Sequence, residues 1–300
     1  MIYKLYCTNY RISTITSGVY LKIPNIEKLS INLLILFNNI KILNENNNFI
    51  YTQHIDSNKN KIVRGNIHKK KRSSNKDRTF DNQISFIFKI GDNYYPNIKV
   101  FQNGNLHITG CRCLDDINYP LLSIINEIKR IFNENNDLII NIDNNDINEL
   151  WHDDVKIFMI NTDFKVYINE KLSEQFLIKR RLLHDILISN DNTIARFDPS
   201  TYPGVKIEYW WSKNKDIEDK ENDEDFYKTR RNLKKKISNY DKNNDKKITI
   251  AVFESGSVLI TGAISLEQVN EAYIYICKIL DDNKNKIYLE QDIHENKIIN

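Results

Sequence analysis

Apolar residues recur every three or four positions in four stretches of the chain, and this spacing predicts amphipathic helices. The predicted helices lie at residues 26–43, 117–132, 173–188 and 266–280. Pro120 moves the start of the second helix to about Ile117, because proline is tolerated only in the first turn of a helix. Ser265 and Gln268 stand at the spacing of a capping box, which marks the start of the fourth helix.

Runs rich in β-branched and aromatic residues predict strands between these helices. The runs are Tyr10–Ile23, Ile84–Ile90, Val155–Ile168 and Val205–Trp211. Each half of the chain therefore has the order strand, helix, strands, helix. We predict an α+β fold with antiparallel hairpins, in which helices cover one face of the sheet and leave the other face open.

The most specific motif is F-x-x-G-x-x-x-x-T-G, which occurs at Phe101–Gly110 and again at Phe253–Gly262. The phenylalanine and the threonine recur at the same offset along the chain, as expected of a duplicated unit. The glycines of both copies are predicted to turn the chain with positive φ, a conformation that favours glycine. These glycines are Gly104, Gly110, Gly256 and Gly262.

The duplication predicts two repeats with insertions. Residues 1–132 form the first repeat with an insertion at 44–78, residues 133–154 an acidic linker, residues 155–280 the second repeat with a charged insertion at 213–247, and residues 281–300 a polar tail. Basic runs lie in both insertions, at 68–72 and 230–236. We expect them to be solvated loops, phosphate contacts or a nuclear localisation signal.

Composition narrows the class of protein without identifying it. The chain has 300 residues, of which 41% are hydrophobic and 28% charged, and its net charge of +3 does not by itself imply a polyanionic partner. Four cysteines are too few for a disulfide framework. The segment Met1–Cys7 lacks the apolar stretch of a signal peptide. We expect a soluble, intracellular protein with no membrane partner.

At the repeated hairpin the sequence resembles the TATA-box-binding protein (TBP) family. The resemblance is carried by Ala251–Ala263, by the looser copy Lys99–Cys111, and by Phe197–Gly204, which is similar to the family's aromatic-x-Pro-x-x-Phe-Pro-Gly segment. It implies a TBP-like saddle of two pseudo-symmetric strand-helix-strands-helix repeats, with a curved antiparallel sheet and helices on the convex face. It also implies binding in the DNA minor groove, where apolar wedges part the base steps and bend the duplex.

Position by position, the resemblance implies aromatic wedges at three residues, Phe101, Phe253 and Tyr202. The fourth wedge position falls on Phe80 if the strand carries an insertion, and on Gln83 if positions are counted back from Ile90. Contacts along the groove are implied for Thr109, Thr261, Leu259, His107, Lys99 and Ala251. These lie on one face of their strands, because side chains alternate along a strand with a period of two.

At two sets of family positions this chain departs, wholly or in part, from the family's residues. The central asparagine pair of the family aligns with Asn9 or Tyr10 in the first half and with Met159 in the second. Basic positions that contact phosphate in the family align with Asn105, Ser257 and Glu208. Each lost phosphate contact lowers the affinity for DNA and its dependence on salt.

The resemblance implies a general transcription initiation factor that binds AT-rich, double-stranded promoter DNA as a monomer. Its helices would recruit other initiation factors and RNA polymerase. The abundance of Asn, Ile and Lys, whose codons are rich in A and T, suits a large DNA virus or a protist. The protein is then expected in the nucleus of a cell, or at a viral cytoplasmic replication site or in the virion.

No cofactor, metal or catalytic activity is expected. His107, Cys111 and Cys113 lack the spacing of a zinc site, and no nucleophile motif accompanies His152–Asp154. One rival interpretation is a protein-interaction scaffold of a transcription complex that has kept the fold and lost TATA-specific binding. Another is an enzyme, since some DNA glycosylases and ribonucleases H carry a related accessory domain, but we expect no room in this chain for their catalytic domain.

Overall fold

The computed structural model describes residues 4–42, 48–55, 61–65, 82–91, 94–140, 142, 146–168, 176–189, 193–213 and 245–289. The chain divides into two compact units. We call Ser13–Phe158 the N-terminal unit, and Met1–Ile12 together with Met159–Asn300 the C-terminal unit. Phe80, the basic runs at 68–72 and 230–236, and most of both predicted insertions lie outside the described residues.

Strands outnumber helices in the described chain. They are β1 (Leu5–Cys7), β2 (Arg11–Lys22), β3 (Phe49–Ile55), β4 (Lys61–Gly65), β5 (Gln83–Phe88), β6 (Asn97–Phe101), β7 (Asn105–Cys111), β8 (Trp151–His152), β9 (Lys156–Ile168), β10 (Ile194–Asp198), β11 (Tyr202–Ser212), β12 (Asp245–Val252) and β13 (Ser257–Ala263). The described helices are α1 (Leu33–Asn39), α2 (Asn118–Glu134), α3 (Arg180–Ser189) and α4 (Leu266–Ile287).

Within each unit the described strand pairs are antiparallel. In the N-terminal unit the strand order is β2-β7-β6-β5-β3-β4, and β8 pairs with the end of β2. In the C-terminal unit the order is β10-β11-β12-β13-β9, and β1 pairs with β9. The four predicted strand runs are confirmed as β2, β5, β9 and β11, with ends that differ by at most three residues.

Alternating burial gives each sheet a covered face and an open face. In β6 and β12 the residues Val100 and Ile250 are fully buried, and so are Ile128 of α2 and Ile276 of α4. The residues between them on the strands, such as Lys99, are only half-buried. Helices therefore cover one face of each sheet, and the predicted α+β class is confirmed.

The second and fourth predicted helices form where the sequence placed them. A 3-10 turn at Asp115–Ile117 leads into α2, so that Pro120 lies in its first turn. The Ser265 side chain accepts a hydrogen bond from the Gln268 N–H at 3.3 Å, which confirms the N-cap. Helix α4 continues into the predicted polar tail because the fully buried Ile287 extends its apolar face.

The first predicted helix, 26–43, is wrong in length. Helix α1 begins only after Asn32, whose side chain accepts from the Ile35 N–H at 3.2 Å. The backbone before it is bonded elsewhere, since the Ile31 N–H donates to the Gln102 carbonyl at 2.8 Å. Tertiary hydrogen bonds, which a spacing pattern does not report, therefore shorten this helix.

The third helix also begins later than predicted. Residues 173–175 lie outside the described chain, and α3 starts at Arg180. The preceding residues are extended, since the N–H of Phe176 donates to the Val166 carbonyl at 3.1 Å and that of Ile178 to the Glu254 carbonyl at 2.9 Å. Both side chains are fully buried, so an extended segment supplied apolar positions that resembled a helical period.

The compact units do not follow the predicted repeat boundaries. The first twelve residues lie with the C-terminal unit, and β1 pairs there with Val166 through Ile168 of β9. The predicted linker 133–154 contributes the fully buried Leu138, Ile147 and Leu150 to the N-terminal unit. The repeat boundaries themselves stay a prediction. Among the described helices none is long and apolar enough to cross a membrane.

Candidate nucleic-acid interface

The repeated motif forms a hairpin with the same turn in both units. The N–H of Gly104 donates to the Phe101 carbonyl, and that of Gly256 to the Phe253 carbonyl, each at 3.1 Å. The two glycines have φ of +84° and +72°. This left-handed conformation confirms the predicted turn and follows a common three-residue hairpin pattern that ends in glycine.

The Thr-Gly pair of each motif marks a bulge. Gly110 and Gly262 have φ of +91° and +94°, and strand pairing shifts register at both positions. An extra residue at a bulge reverses the alternation of side chains. Thr109 and Thr261 therefore stay on the open face, whereas the fully buried Cys111 and Ala263 return to the covered face.

Two aromatic rings meet on the open face of the C-terminal unit. The ring centroids of Tyr202 and Phe253 are 5.7 Å apart, with an interplanar angle of 58°. Both rings lie against Gly204, where an added Cβ would be 2.9 Å from Tyr202 and 3.1 Å from Phe253. The glycine of the Tyr-Pro-Gly segment therefore leaves room for the two rings to pack closely, and its φ is ordinary.

Arg180 of α3 holds the strand ends that carry these rings. Its guanidinium donates to the Pro203 carbonyl at 2.6 Å and to the Glu254 carboxylate at 2.5 Å, and it lies 5.4 Å from the centre of the Phe197 ring. One side chain thus joins β10, the start of β11 and the hairpin turn. Sequence reasoning missed Arg180, because nothing in the Lys-Arg-Arg run distinguishes a bracing side chain from a solvated one.

A shallow depression of about 320 Å³ lies beside the aromatic pair. Its floor includes the directly paired residues Ala251 and Leu259, and Thr249 and Thr261. The Thr261 hydroxyl donates to the Thr249 carbonyl at 3.4 Å. The structure therefore brings all of the second-half candidates together, namely Tyr202, Phe253, Ala251, Leu259 and Thr261. Ala251 is the most enclosed of them, with 5% of its surface exposed.

Charged side chains border this depression. Lys206 Nζ lies 4.0 Å from the centre of the Tyr202 ring. A Glu208 carboxylate oxygen lies 3.7 Å from Arg196 Nη2 and 3.8 Å from Lys247 Nζ. The alternation in Val-Lys-Ile-Glu predicts that Lys206 and Glu208 share a face, but the approach of Arg196 and Lys247 depends on the strand order.

The N-terminal unit arranges its candidates differently. The His107 ring lies edge-on to Phe101 at 4.9 Å and to Phe158 at 5.5 Å between centroids. Phe158 in turn covers Gly18, where a Cβ would overlap its ring. Burial lowers the pKa of His107, and the nearby Lys99 lowers it further. The His107 imidazole has the place that Leu259 has in the other hairpin, since His107 pairs with Lys99 as Leu259 pairs with Ala251.

The remaining first-half candidates stand on the same open face. Lys99 pairs with His107, and Thr109 pairs with Asn97 of β6 and Thr16 of β2. Ile84 pairs with Val100, as Val205 pairs with Val252. Counted from the hairpin turn, Gln83 therefore has the place of Gly204 rather than that of Tyr202. Phe80 lies outside the described residues, so no aromatic partner for Phe101 equivalent to Tyr202 is described.

Tyr10, which the resemblance aligns with the family's asparagine pair, and Asn161 lie on different faces of the C-terminal unit. The Tyr10 ring contacts Tyr273 of α4 at 5.4 Å, which directs it toward the helices. Asn161, which sequence reasoning missed, lies on the open face of β9, since Thr162 beside it is fully buried and Asp163 pairs with Leu259. The alternation of β9 indicates which face Asn161 occupies, but its position near Thr261 depends on strand pairing.

The histidine and cysteines considered for a metal do not converge. His107 lies on the open face, whereas Cys111 is fully buried and Cys113 is exposed. Burial raises the pKa of the Cys111 thiol to about 12. Within the described part of the chain no group of three or more His, Cys, Asp or Glu side chains could hold a metal ion.

Each unit is thus an antiparallel sheet with helices on one face and aromatic, hydroxyl and charged side chains on the other. The family described as "Transcription factor TFIID (or TATA-binding protein, TBP)" matches residues 230–283. A "TATA-box-binding protein-like" protein of Acanthamoeba polyphaga mimivirus is 31% identical over 229 residues, or 73% of this chain. These matches support a divergent protein similar to the TATA-box-binding proteins.

The share of each protein that is covered differs between these relatives. The chain spans about half the length of its mimivirus relative, with 52% of that protein covered. The solved structure of Methanococcus jannaschii TBP is similar with a TM-score of 0.44 and 13% sequence identity, covering 92% of this chain and 99% of the archaeal one.

Proposed function

We propose that this chain is a transcription initiation factor that binds promoter DNA in the minor groove and bends it. The observation that carries the proposal is the Tyr202–Phe253 pair, two half-buried rings held over Gly204 at one end of an open sheet face. Side chains that bend DNA from the minor groove are apolar wedges inserted between base steps. Two adjacent rings on strand ends that Arg180 joins suit that role.

The floor beside the rings has the chemistry that A·T pairs require. In the minor groove an A·T pair presents only acceptors, and a G·C pair adds an amino group. Ala251 and Leu259 offer apolar surface, and Thr249 and Thr261 are small hydroxyl residues on the same face. A floor of small apolar and hydroxyl side chains favours AT-rich DNA.

The N-terminal unit is proposed to contact DNA through Phe101, Lys99 and Thr109. Phe101 already contacts the His107 ring, which also contacts Phe158. Insertion of Phe101 into DNA would have to separate it from this cluster, whereas Tyr202 and Phe253 can act as one wedge. We therefore propose that the C-terminal unit bends DNA more strongly than the N-terminal unit.

We also propose that the units are pseudo-symmetric products of a duplication. The two hairpins share their turn hydrogen bond and both positive-φ glycines, and Ile84 and Val205 have equivalent pairing partners. The helices that cover one face of each sheet would then contact other initiation factors and RNA polymerase, as the resemblance to the family suggests.

A bending assay on the full chain tests the proposal. The wild type should bend an AT-rich duplex by about 20–90°, the range for proteins that insert such wedges. Removing one aromatic wedge loses about 1.5–3 kcal/mol of apolar contact, so Tyr202→Ala and Phe253→Ala should each weaken binding about ten- to hundredfold. Energy transfer between dyes at the duplex ends reports the bend, and anisotropy reports the affinity.

Tyr119→Ala is the matched control, because Tyr119 is an aromatic residue of α2 with 62% of its surface exposed. It should bind and bend DNA like the wild type. Phe101→Ala should reduce the bend less than Phe253→Ala does. A wild type that neither binds nor bends the duplex better than the double variant Tyr202→Ala, Phe253→Ala would refute the proposal.

The second candidate function is a protein-interaction scaffold that has kept the family fold. Glu208 on the open face favours it, since a carboxylate repels the DNA backbone and lies where the family resemblance expects a basic residue. This function predicts no DNA bending by the wild type at any salt concentration, which the same assay measures.

A further inference from the structure

Three cations and one carboxylate occupy neighbouring strands on the open face of the C-terminal unit. Arg196 of β10 pairs directly with Lys206 of β11, and Glu208 pairs with Thr249 of β12. Lys247 precedes Thr249 by two residues and therefore shares its face. Lys206 contacts the Tyr202 ring, Arg196 and Glu208 line the depression beside that ring, and Lys247 lies next to Glu208. Together these three cations and one carboxylate leave a local excess of positive charge.

The cations lie outward of the carboxylate. The Arg196 and Lys247 side chains are 78% and 48% exposed, whereas the Glu208 side chain is 20% exposed. Their distances to Glu208, 3.7 and 3.8 Å, are longer than charge-assisted hydrogen bonds of about 2.7–2.9 Å. A negatively charged ligand approaching from solvent therefore meets both cations before it meets Glu208.

Lys206 adds the third cation at the wedge itself. Its ammonium lies 4.0 Å from the centre of the Tyr202 ring, which keeps a positive charge beside the side chain proposed to enter the base stack. The DNA backbone must run next to any inserted wedge, so a phosphate reaches this cluster when Tyr202 enters the groove. The charge and the position both suit a phosphodiester.

We propose that Arg196, Lys206 and Lys247 form a phosphate-binding site for the DNA backbone, in which Glu208 holds Arg196 and Lys247 until a phosphate oxygen displaces it. This inference rests on the proposed DNA binding and adds the residues that bind the backbone. It also gives Glu208 a defined effect: the carboxylate positions the two cations in the free protein and competes with phosphate for them.

The test is the salt dependence of binding to an AT-rich duplex, measured by anisotropy between 50 and 200 mM KCl. Each phosphate contact contributes about 0.9 to the slope of log affinity against log salt. Arg196→Ala and Lys247→Ala should each lower the slope by about that amount. Glu208→Gln, which keeps the side-chain size, should raise the slope and tighten binding at 50 mM KCl about threefold or more.

Lys286→Ala is the control, since it removes one exposed cation from the last turn of α4, away from the open face. It should leave the slope unchanged, and thermal melting should show that each variant is folded. The phosphate site is refuted, and the proposed function stands, if the wild type binds and bends DNA but Glu208→Gln weakens binding. The same holds if Arg196→Ala and Lys247→Ala leave the slope of log affinity against log salt unchanged. If the wild type binds no DNA, both fail.

Discussion

The turn glycine of the second hairpin should tolerate a side chain far less than its equivalent in the first. An alanine Cβ at Gly256 would lie 2.6 Å from the Phe176 carbonyl oxygen and 2.8 Å from that of Val166. At Gly104 the nearest atoms are 3.4 Å away and belong to the Leu29 side chain. At Gly91, which has φ of +62°, nothing lies within 4 Å.

These distances distinguish two free-energy costs of an alanine at the three glycine positions. Left-handed backbone costs a non-glycine residue about 1–2 kcal/mol, and this cost applies to all three glycines. At Gly256 the obstacles are also backbone atoms tied into hydrogen bonds, since the Val166 carbonyl accepts from the Phe176 N–H at 3.1 Å and the Gly256 carbonyl accepts from the Val166 N–H at 2.9 Å. Losing one such buried bond adds about 1–3 kcal/mol.

We therefore expect Gly91→Ala and Gly104→Ala to lower the free energy of unfolding by about 1–2 kcal/mol. For Gly256→Ala the two costs together predict a loss of about 2–5 kcal/mol. Denaturant titration followed by tryptophan fluorescence measures this difference. Trp210 and Trp211 report on the C-terminal unit in a Trp151→Phe background, and Trp151 reports on the N-terminal unit when the other two are replaced by Phe.

The reasoning fails if Gly256→Ala costs no more than Gly91→Ala. Such a result would mean that the turn can move away from Val166 and Phe176 without loss, so that the hairpin is not seated against them. A large cost at Gly104 would contradict it as well, because the Leu29 side chain can shift whereas backbone carbonyls cannot.

Two further predictions concern the open faces. Gly204→Ala should lower the free energy of unfolding by about 1 kcal/mol or less, because the added methyl group meets the rings of Tyr202 and Phe253, which can move. The substitution should still reduce DNA bending, because it separates the two rings. An unchanged bend would contradict this prediction. For His107 the lowered pKa means that the unfolded chain binds the proton more readily, so stability should fall as pH drops below about 6.5. His107→Gln should remove the part of the pH dependence that comes from His107. The measurement is the free energy of unfolding of both proteins between pH 7.5 and 5.5, where the difference between wild type and variant should shrink as the pH falls. A difference that stays constant over this range would argue against His107 as the source.

Much of the fold could be read from local patterns because strands and capped helices are set by near neighbours. The strand alternation in β2 and β9 and the cap at Ser265 need only a few consecutive residues to be recognised. The same holds for the hairpin glycines, whose positive φ follows from the turn they make. The predicted length of helix α1 was wrong because the backbone N–H groups of Ile31 and Asn32 donate hydrogen bonds to residues that are distant in sequence.

The sequence by itself determined the hairpins, the two strand faces and the resemblance to the TATA-box-binding protein family, since each depends on residue types at short, fixed spacings. Only the tertiary structure decided which charges meet at Glu208, that Arg180 joins the strand ends beside the aromatic pair, and that Phe158 covers Gly18. These contacts join residues from separate elements, and a contact of that kind depends on strand order and register. The Phe-x-x-Gly hairpin could thus be located in advance, but its surroundings could not.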